Sequence, residues 1–578
     1  MDLNTFVTNF GLLADTPNGI PKLREMILQL AVMGKLVPQN PKDKPASVLL
    51  EKIDADIVKL IAEGKIKKSN PLIPIDQDEV PYELPKGWEW RRLMELGLIN
   101  PRNEADDNID AAFIPMPLIS DKYGALPNFE VRPWKDIRKG FTHFAEGDVA
   151  LAKITPCFQN GKSAVFERLP NGIGAGTTEL HVFRPLGNTL IPKYVWLYLK
   201  SPRFLSEGET KMTGTAGQKR VPKIYFEGNP FPLPPLIEQK RIVSKVDELL
   251  ALCDELEERQ KKRDEVRVSV NAACLHEMTS PEVKISKKGW TRTRNHFDLL
   301  YDTPDNVAAL RQSILQLAVM GKLVPQNPKD EPAYVLLEKI AAEKEKLIEE
   351  GKIKKPKLLP TIEPDEVPYE LPEGWGWVRL GQIGNNVDAA IVDGPFGSSV
   401  NVITDYIEKG VPVIRMINLK PYSVLKEDLK FIRPEKFKQL RRHNVLPDDV
   451  LLGKVGSIGL CAVYPDNFPE AMLATTGLCR FRVGQIFSAD YLCHLLNSLR
   501  PYLNEIASEA VQPFLSMKTI NNIVIGLPPS AEQKRIVKKV DKLMALFDEL
   551  ESKLQESHSA GEKLMEAVVR KVGSVLVY

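Results

Sequence analysis

The chain contains a long segment of itself twice. Residues 27–53, ILQLAVMGKLVPQNPKDKPASVLLEKI, return at 314–340 with two substitutions. A second pair follows, because PPLIEQKRIVSKVDELLALCDELE at 234 matches PPSAEQKRIVKKVDKLMALFDELE at 528. We call the first pair repeat A and the second pair repeat B. The chain is therefore two tandem copies of one plan, repeat A, a variable block and repeat B, with a period far longer than that of a solenoid. This predicts two-fold pseudosymmetry within one polypeptide.

The variable blocks between the repeats have diverged. Residues 86–232 and 373–526 align with each other only in scattered places. A retained frame with divergent inserts is typical of one scaffold that presents two different recognition surfaces. The alternative is a recent duplication whose loops drifted without consequence, but drift alone would not spare both repeats.

The composition is that of an ordinary globular protein. With 578 residues, 43% hydrophobic and 27% charged, the chain is expected to form about four domains. No run approaches the roughly 18 apolar residues of a membrane helix, and the acidic N-terminus lacks the basic region of a signal peptide. The six cysteines form no CxxC pair, which argues against zinc and predicts a reducing, cytoplasmic compartment. The net charge of +2 does not decide about nucleic acid, because acidic helices can mask a basic face.

Both repeats predict helices. In repeat B a Pro-Pro start places Glu238 or Glu532 in the first turn, where a carboxylate meets the positive end of the helix. No glycine or proline interrupts residues 236–280, which predicts a helix of about 40 residues and about 60 Å. Repeat A predicts one helix on either side of its PQNPKDKP turn, the second ending near Gly64.

Repeat B carries apolar residues at alternating intervals of four and three, the spacing of a coiled-coil seam. The seam residues are Ile242, Val246, Leu249, Cys253, Leu256, Ile536, Val540, Leu543, Phe547 and Leu550. Since the same seam occurs twice, we expect the two long helices to pair with each other. An antiparallel pair would hold the variable blocks at a fixed separation. The alternative is that each seam is a core stripe.

The variable blocks predict short strands and polar loops that correspond between the two halves. VALAKITPCF at 149 and VLLGKVGSIGLCAV at 450 are rich in β-branched residues and follow acidic turns. GTAGQKRVPK at 214 and AVQPFLSMK at 510 both precede repeat B. Their polar side chains are of the types that bond base edges and phosphates. The candidate DNA-binding residues here are Lys153, Thr155, Thr215, Gln218, Lys219, Arg220, Lys454, Ser457, Gln512, Ser516 and Lys518.

A basic run in the second block adds further candidates. Between residues 430 and 442 the only acid is Glu435, among six lysines and arginines. A solvated surface explains such a run equally well. The preceding VPVIRMINLK segment places polar side chains at a predicted strand end. The additional candidates for DNA contact are Arg415, Asn418, Lys420, Lys436, Lys438 and Arg441.

Together these motifs resemble a known family. The EQKRIV helix after its PLPP exit, the paired QLAVMGKLVPQ segments, the Pro-x-Gly-Trp motifs at 85–88 and 372–375, and the FGS and GQKRV loops are similar to those of the specificity subunit of type I restriction-modification systems. The resemblance covers essentially the whole chain. It implies an α+β fold in which two globular, mixed α/β target-recognition domains are joined by long antiparallel coiled-coil helices, with pseudo-two-fold symmetry.

The resemblance implies that each target-recognition domain binds one half of an asymmetric, bipartite DNA sequence, and that a helical spacer fixes the number of unread base pairs. It places catalysis in partners: two modification subunits that methylate adenine N6 with S-adenosylmethionine, and restriction subunits that use ATP and Mg²⁺. We therefore expect double-stranded DNA as the ligand. We expect no catalytic residue, metal site, bound cofactor or membrane association in this chain.

The same interpretation divides the chain into six segments. They are an N-terminal helical repeat A at 1–85, a first target-recognition domain at 86–233, a central long helix at 234–280, a linker with the second repeat A at 281–372, a second target-recognition domain at 373–527, and a C-terminal long helix at 528–578.

Two other classes of function stay open. A stand-alone DNA-modifying enzyme is disfavoured, because Asn229-Pro230-Phe231 lacks the second proline of an adenine methyltransferase turn and Pro447-Asp448-Asp449 lacks the further acid of a nuclease. GIGAG at 172–176 imitates a cofactor loop, but a strand-like segment follows it instead of a helix, so we predict a turn. A coiled-coil scaffold without DNA recognition would explain the repeats but not two large, divergent inserts.

Overall fold

The duplicated sequence folds as two units. In the computed structural model, unit 1 comprises Met1–Arg263 and Glu556–Tyr578, and unit 2 comprises Asp264–Gln555. The structure describes residues 8–64, 74–215, 217–280, 287–353, 355, 358–384, 387, 389–401, 403–484, 487–507 and 513–574.

The described helices are numbered along the chain. Those of the first half, α1 to α9, are Phe10–Ala14, Gly19–Val32, Ala46–Ala62, Leu93–Leu96, Trp134–Ile137, Pro192–Leu199, Pro202–Lys211, Lys223–Gly228 and Leu236–Thr279. Those of the second half, α10 to α18, are Lys287–Asn295, Phe297–Leu300, Pro304–Val319, Ala333–Glu349, Pro434–Gln439, Ala489–Ser498, Arg500–Glu505, Met517–Asn522 and Ser530–Ser574.

The described strands are numbered in the same way. Strands β1 to β10 are Glu89–Arg92, Gly97–Ile99, Asp110–Ile114, Glu130–Pro133, Thr142–Ala145, Val149–Ala152, Ser163–Val165, Ile173–Gly176, Leu180–Pro185 and Pro230–Leu233. Strands β11 to β23 are Gly376–Arg379, Ile391–Asp393, Tyr406–Ile407, Val411–Ile414, Leu419–Lys420, Ser423–Val424, Lys430–Ile432, Asn444–Val445, Val450–Gly453, Cys461–Val463, Ala471–Leu473, Leu478–Phe481 and Val524–Leu527.

The predicted helices of the repeats are confirmed. The long helices α9 and α18 contain 44 and 45 residues, so each is about 66 Å long at 1.5 Å per residue. Repeat A forms α2 and α3 in unit 1 and α12 and α13 in unit 2. Gly64 lies just beyond α3 with a φ of +70°, the left-handed conformation that ends many helices. None of the helices in the described ranges has the length and apolarity to cross a membrane.

The variable block of unit 1 folds as three sheets in its described part. Strands β1 and β10 pair antiparallel and bring the two ends of the block together. An antiparallel sheet has the order β2-β9-β6-β7. A mixed sheet has the order β4-β3-β8-β5, with β3 and β8 parallel.

The variable block of unit 2 repeats this plan. Strands β11 and β23 pair as β1 and β10 do, and β12-β22-β19-β20 corresponds to β2-β9-β6-β7. The mixed sheet β13-β17-β14-β21-β18 has one additional edge strand, and its parallel pair is β14 and β21. Strands β15 and β16 form a further two-stranded sheet. The two blocks thus share one fold although their sequences have diverged.

The seam of each long helix lies in a hydrophobic core. In unit 1, Ile242, Val246, Leu249 and Cys253 are buried in a cluster that includes residues of α2 and α6, with Leu256 at its edge. In unit 2, Ile536 and Val540 belong to a cluster with α12 and α15, and Phe547 belongs to a second cluster with α12, with Leu543 and Leu550 at its edge. Within each unit, the seam therefore packs against repeat A and the adjacent domain.

Each core also receives the end of the other long helix. Met565 of α18 is buried in the cluster of unit 1 that contains the first part of α9. Leu275 and Met278, at the end of α9, share a cluster with Phe547 in unit 2. Within each unit the start of one long helix is thus accompanied by the end of the other, which is the antiparallel order.

Ion pairs that join repeat B to repeat A, or to the residues just before repeat A, recur at corresponding positions of the two units. The pairs are Arg24–Asp254, Arg311–Asp548, Arg241–Asp43 and Arg535–Asp330, with N–O distances of 2.5, 2.5, 2.7 and 2.6 Å. Arg241, Arg535 and the four aspartates lie in the repeats, whereas Arg24 and Arg311 lie three residues before repeat A. These contacts give a physical reason for the retention of both repeats while the variable blocks diverged.

The Glu-Gln pair that opens repeat B is buried in both units. Glu238 and Glu532 are each 1% exposed. Gln39 donates a hydrogen bond to Glu238 at 2.7 Å, and Trp375 donates one to Glu532 at 3.0 Å. This carboxylate thus fastens the long helix to repeat A and to the Pro-x-Gly-Trp motif.

The following glutamine fastens the long helix to the variable block. Gln239 accepts a hydrogen bond from the backbone N–H of Ile191 at 2.8 Å, the residue before α6. Gln533 accepts the equivalent bond from the N–H of Ser488 at 2.8 Å, before α15. Each glutamine therefore satisfies an otherwise unpaired N–H at the start of a helix.

The turn predicted at 172–176 is wrong, because most of this segment is strand β8. Residues 174 to 176 pair in parallel with β3. A Cβ atom on Gly174 would lie 2.3 Å from the ring of Phe144 and 2.6 Å from the carbonyl oxygen of Ala112. The glycines therefore allow close packing inside a sheet, and the segment is not a cofactor loop.

Candidate nucleic-acid interface

Three loops of unit 1 meet at one edge of its sheets. The loop after β6 is bonded to the loop between β8 and β9, because the N–H of Lys153 donates to the carbonyl oxygen of Glu179 at 2.9 Å. It is also bonded to the loop before α8, because the N–H of Thr155 donates to the carbonyl of Lys219 at 2.9 Å and the N–H of Val221 donates to that of Lys153 at 2.8 Å. We call residues 153–157, 177–179, 213–215 and 217–220 the three-loop face of unit 1.

The corresponding loops meet in unit 2. The N–H of Lys454 donates to the carbonyl of Gly477 at 2.8 Å, and the N–H of Leu515 donates to the carbonyl of Lys454 at 3.0 Å. An isolated bridge also pairs Val455 with Phe514. Residues 454–457, 475–477 and 513–516 form the three-loop face of unit 2. The correspondence between these segments, inferred from the sequence, is thus present in the backbone bonding.

The face of unit 1 offers several solvent-exposed polar side chains. Thr215, Gln218 and Lys219 are exposed, and Lys153 is half-buried. Among the described residues Lys153 forms no ion pair. The ammonium groups and the amide are therefore available to an acceptor that approaches from solvent.

Of the two other candidates on this face, Arg220 is engaged by a carboxylate and Thr155 has a buried hydroxyl. Arg220 makes a bidentate pair with Glu179, with two N–O distances of 2.9 Å. This guanidinium holds the pKa of the Glu179 carboxyl below its usual value. The hydroxyl of Thr155 is buried without a hydrogen-bond partner among the described residues. Arg220 therefore fixes the loop that carries Lys219.

Beside Lys153 lies an open cleft of about 320 Å³. His143, in its wall, lies with its Nε2 atom 3.2 Å from Arg102, and burial lowers the pKa of its imidazole. The cleft is lined by Asn100, Pro101, Arg102, Gly140, Phe141, Thr142, His143, Lys153, Thr178 and Leu180. Amide, hydroxyl and guanidinium donors of this kind suit phosphate oxygens and base edges.

The face of unit 2 has a different set of side chains. Lys454 is 5% exposed, and its Nζ atom lies 3.0 Å from Asp393 Oδ2. Ser516 caps α17 by accepting a hydrogen bond from the N–H of Thr519 at 3.0 Å. Ser457 and Lys518 are exposed. Gln512 lies outside the described residues.

The candidates at the end of β14 also divide into supporting and exposed residues. Asn418 is 1% exposed, and its amide donates to the carbonyl of Glu427 at 2.8 Å and accepts from the N–H of Arg415 at 3.1 Å. Arg415 in turn donates to the carbonyl of Asp428 at 2.5 Å. Asn418 therefore holds the turn, whereas Lys420 is exposed.

The basic run forms the surface of α14 and the turn that follows it. Lys438 and Arg441 are exposed, and Lys436 is half-buried. Lys436 lies 3.6 Å from Asp405 and Arg441 lies 3.9 Å from Glu470. Both distances are long for an ion pair. These cations are therefore only weakly engaged by the protein.

Both faces contain a Thr-Thr pair that the sequence interpretation did not select. The hydroxyl of Thr177 accepts from the N–H of Glu179 at 3.2 Å, and that of Thr475 accepts from the N–H of Gly477 at 3.3 Å. Thr178 and Thr475 are exposed. The signal was present in the sequence, because AGTTEL at 175 corresponds to LATTGL at 473. Within the described ranges no group of three or more His, Cys, Asp and Glu side chains could hold a metal ion.

Comparison with known proteins gives consistent matches over most of the chain. The family model described as type I restriction modification DNA specificity domain matches residues 85–266 and 416–557. The type I restriction enzyme EcoAI specificity subunit of Escherichia coli is 43% identical over 541 residues, covering 92% of this chain and 90% of that protein. The EcoEI specificity subunit of Escherichia coli is 40% identical over 559 residues, covering 95% and 93%.

Solved structures include two similar chains. The HsdS subunit from Thermoanaerobacter tengcongensis is 20% identical with a TM-score of 0.46, covering 86% of this chain and 99% of that chain. A chain from a study of complex assembly and conformational transition of the type I R-M system is 21% identical with a TM-score of 0.48, covering 85% and 99%. On the strength of the family model and the two Escherichia coli relatives, the chain belongs to the family of type I restriction enzyme specificity subunits.

Proposed function

We propose that this chain is the sequence-specific DNA-binding subunit of a type I restriction-modification complex. Residues 86–233 and 373–527 are its two target-recognition domains, and each binds one half of a bipartite DNA sequence. The helical segments 1–85, 234–280, 281–372 and 528–578 form the frame that carries them. The chain directs adenine-N6 methylation or restriction, and the chemistry of both belongs to partner subunits.

One observation carries this proposal: two domains whose corresponding strands have the same order present the same three-loop face with different side chains. Lys153, Thr215 and Lys219 reach solvent in unit 1, whereas Lys454 is buried in unit 2. Two domains that share one fold but differ in surface chemistry recognise two different half-sites. The target is therefore asymmetric, unlike the palindrome bound by a homodimer.

Within each face the side chains divide into two tasks. Cations such as Lys153 bind phosphates and set register, while hydroxyl and amide groups, together with Lys219 and Lys518, contact base edges. Thr215 and Gln218 in unit 1 and Ser457 in unit 2 are exposed residues of the second kind. Lys420, Lys438 and Arg441 are exposed cations suited to the first task.

The partners follow from the same assignment. Two modification subunits supply the methyltransferase site and S-adenosylmethionine, and restriction subunits supply ATP hydrolysis, Mg²⁺ and cleavage. The complex acts in the cytoplasm, where its DNA lies. All six cysteines are free thiols, which suits a reducing compartment.

The experiment that tests the proposal is methylome sequencing of cells that express this chain with its modification subunit. The expected result is N6-methyladenine in an asymmetric, bipartite motif that is absent from cells lacking the chain. As a control, the modification subunit is produced alone at the same level. If methylation is unchanged when the chain is removed, the proposed function is wrong.

The same experiment separates the two other classes of function. A coiled-coil scaffold without DNA recognition would leave the motif unchanged after substitution of Lys219 or Lys518. A stand-alone modifying enzyme would give a motif without any modification subunit.

A further inference from the structure

Phe396 is the most exposed aromatic side chain in the described residues, with 76% of its surface accessible to solvent. Single exposed apolar residues are common and need no special explanation. Phe396 differs from such residues because the backbone that carries it is held in place on the side of β12. It also adjoins the three-loop face of unit 2.

The residue before this loop is fixed by two side chains. Asp393 is the last residue of β12, and its carboxylate forms an ion pair with the ammonium group of Lys454, with an Nζ–Oδ2 distance of 3.0 Å. The carbonyl oxygen of Asp393 lies 2.6 Å from Nδ1 of His443. The start of the loop is thus attached both to the three-loop face, through Lys454, and to the turn after α14, through His443.

The next residue fits only as glycine. The N–H of Gly394 donates to the carbonyl of Leu478 at 3.0 Å. A Cβ atom at this position would lie 2.1 Å from the carbonyl oxygen of Thr475, a residue of the three-loop face. Pro395 then restricts the backbone further, and the N–H of Ser399 closes a turn on the carbonyl of Phe396 at 2.8 Å. The ring is therefore presented from a fixed support beside Thr475.

An exposed apolar ring at this position interacts unfavourably with water and can stack favourably on DNA bases. The surrounding groups are hydroxyls and cations, which suit the sugar-phosphate backbone and base edges. Proteins that bind the minor groove frequently insert apolar side chains, phenylalanine among them, between base steps and unstack the bases. Stacking of a base on an aromatic ring contributes enough that removal of the ring weakens binding about tenfold.

We propose that Phe396 inserts into the DNA at a base step of the half-site bound by the second target-recognition domain. This inference rests on the proposed function. It concerns one half-site alone, because none of the exposed large apolar side chains in the described part of unit 1 is aromatic. The two domains would then differ in mechanism as well as in sequence preference: the first binds its half-site through polar contacts, and the second also deforms its half-site.

The test uses the full chain assembled with its modification subunits and a duplex carrying the motif found by methylation mapping. The adenine analogue 2-aminopurine, whose fluorescence rises when it is unstacked, replaces one base at a time in both half-sites. The variants are Phe396→Ala, Phe396→Trp, which keeps a ring, and Leu358→Ala. Leu358 is 95% exposed and precedes β11, so its variant controls for loss of an exposed apolar side chain.

The expected result is a step in one half-site whose fluorescence rises on binding. In Phe396→Ala this rise is lost and Kd increases about tenfold, while Phe396→Trp and Leu358→Ala behave as the unaltered chain. A rise that persists in Phe396→Ala belongs to the base extruded for methyl transfer. Lys219→Ala, on the face of unit 1, identifies the half-site of the first domain.

Three results would overturn the inference. The first is an unchanged Kd and an unchanged fluorescence profile for Phe396→Ala. The second is an equal loss of affinity on all duplexes without a change in fluorescence, which would indicate a surface contact. The third is a loss of modification subunits from the complex, which would make Phe396 a protein contact. If mapping gives no chain-dependent motif at all, the proposed function fails first, and the inference fails with it.

Discussion

The Nζ atom of Lys454 lies 3.0 Å from Asp393 Oδ2, whereas Lys153, which follows the corresponding strand of unit 1, forms no ion pair among the described residues. The backbones of the two lysines are bonded alike, each to the loop that leads from the mixed sheet back to the lysine's own sheet, β8–β9 in unit 1 and β21–β22 in unit 2. One position of the shared fold therefore serves stability in unit 2 and is free to bind a ligand in unit 1.

The two lysines make a matched pair for mutation. We expect Lys454→Ala to lower the free energy of unfolding by about 1–3 kcal/mol, because it removes a buried, hydrogen-bonded group. We expect Lys153→Ala to leave thermal unfolding unchanged and to weaken DNA binding. The slope of log K against log salt concentration should become smaller in magnitude by about one, the value for one lost phosphate contact. Calorimetry and salt-dependent binding measure the two effects. The assignment is wrong if the variants exchange these phenotypes.

Lys219→Ala and Lys518→Ala test the division of the target between the domains. Both side chains are exposed on or next to a three-loop face, so neither substitution should alter folding. Each is expected to weaken binding about tenfold, the magnitude of one good base contact, at one half-site alone. Competition with duplexes scrambled in either half-site measures this, with Lys261→Ala on α9 as the control. Equal losses at every DNA sequence would instead make both lysines phosphate contacts.

The sequence predicted the frame well because the frame depends on local rules. Absence of glycine and proline from 236–280 leaves nothing to interrupt α9, and Gly64 takes the positive φ expected of a helix end. The seam was found by its spacing, but spacing does not identify what a stripe packs against. That Cys253 shares a core with α2 is a tertiary fact.

The loops of the two three-loop faces could be matched to each other from the sequence, but the roles of their individual side chains could not. Polarity marked Asn418 as a ligand-binding residue, whereas its amide is used by the backbone of its own turn. The partner of Lys454 lies 61 residues earlier in the chain, and no local pattern identifies it. The sequence around Gly174 predicted a turn. The structure requires glycine at this position because the ring of Phe144 packs against it, and only the fold brings that ring close.

The buried glutamates of repeat B make a prediction about pH. Burial raises the pKa of Glu238 and Glu532 above the usual value of 4.5, although the hydrogen bonds donated by Gln39 and Trp375 oppose this shift. The folded state therefore binds protons more tightly than the unfolded state. Their contribution to stability is fully present below about pH 4.5, the ordinary value taken for the unfolded chain, and is lost as pH rises through the folded pKa.

The double variant Glu238→Gln, Glu532→Gln removes this titration and keeps an acceptor for Gln39 and Trp375. As the pH rises from 4 to 7, we expect the Tm of the variant to increase relative to the Tm of the unaltered chain, because only the unaltered chain loses the contribution of the protonated carboxyls. The control is Glu258→Gln, at an exposed position of α9. A difference in Tm that is constant with pH would show that burial of these carboxylates carries no cost.

The length of the long helices is expected to set the number of unread base pairs between the half-sites. A deletion within 242–256 would damage the core of unit 1, since these seam residues are buried or at its edge. Insertions are better placed after Arg263 and after Gln555, where each helix passes from one unit to the other. Seven residues in each helix add two turns and about 10 Å, so the helical faces keep their phase.

This double insertion should lengthen the spacer of the methylated motif by up to about three base pairs, at 3.4 Å each, and leave both half-sites unchanged. Methylome sequencing of the variant measures spacer and half-sites together. The control is the same seven residues inserted at Gly124, in an exposed turn with no atom near the position of a Cβ. A spacer of unchanged length, with methylation intact, would mean that another part of the complex sets the distance between the half-sites.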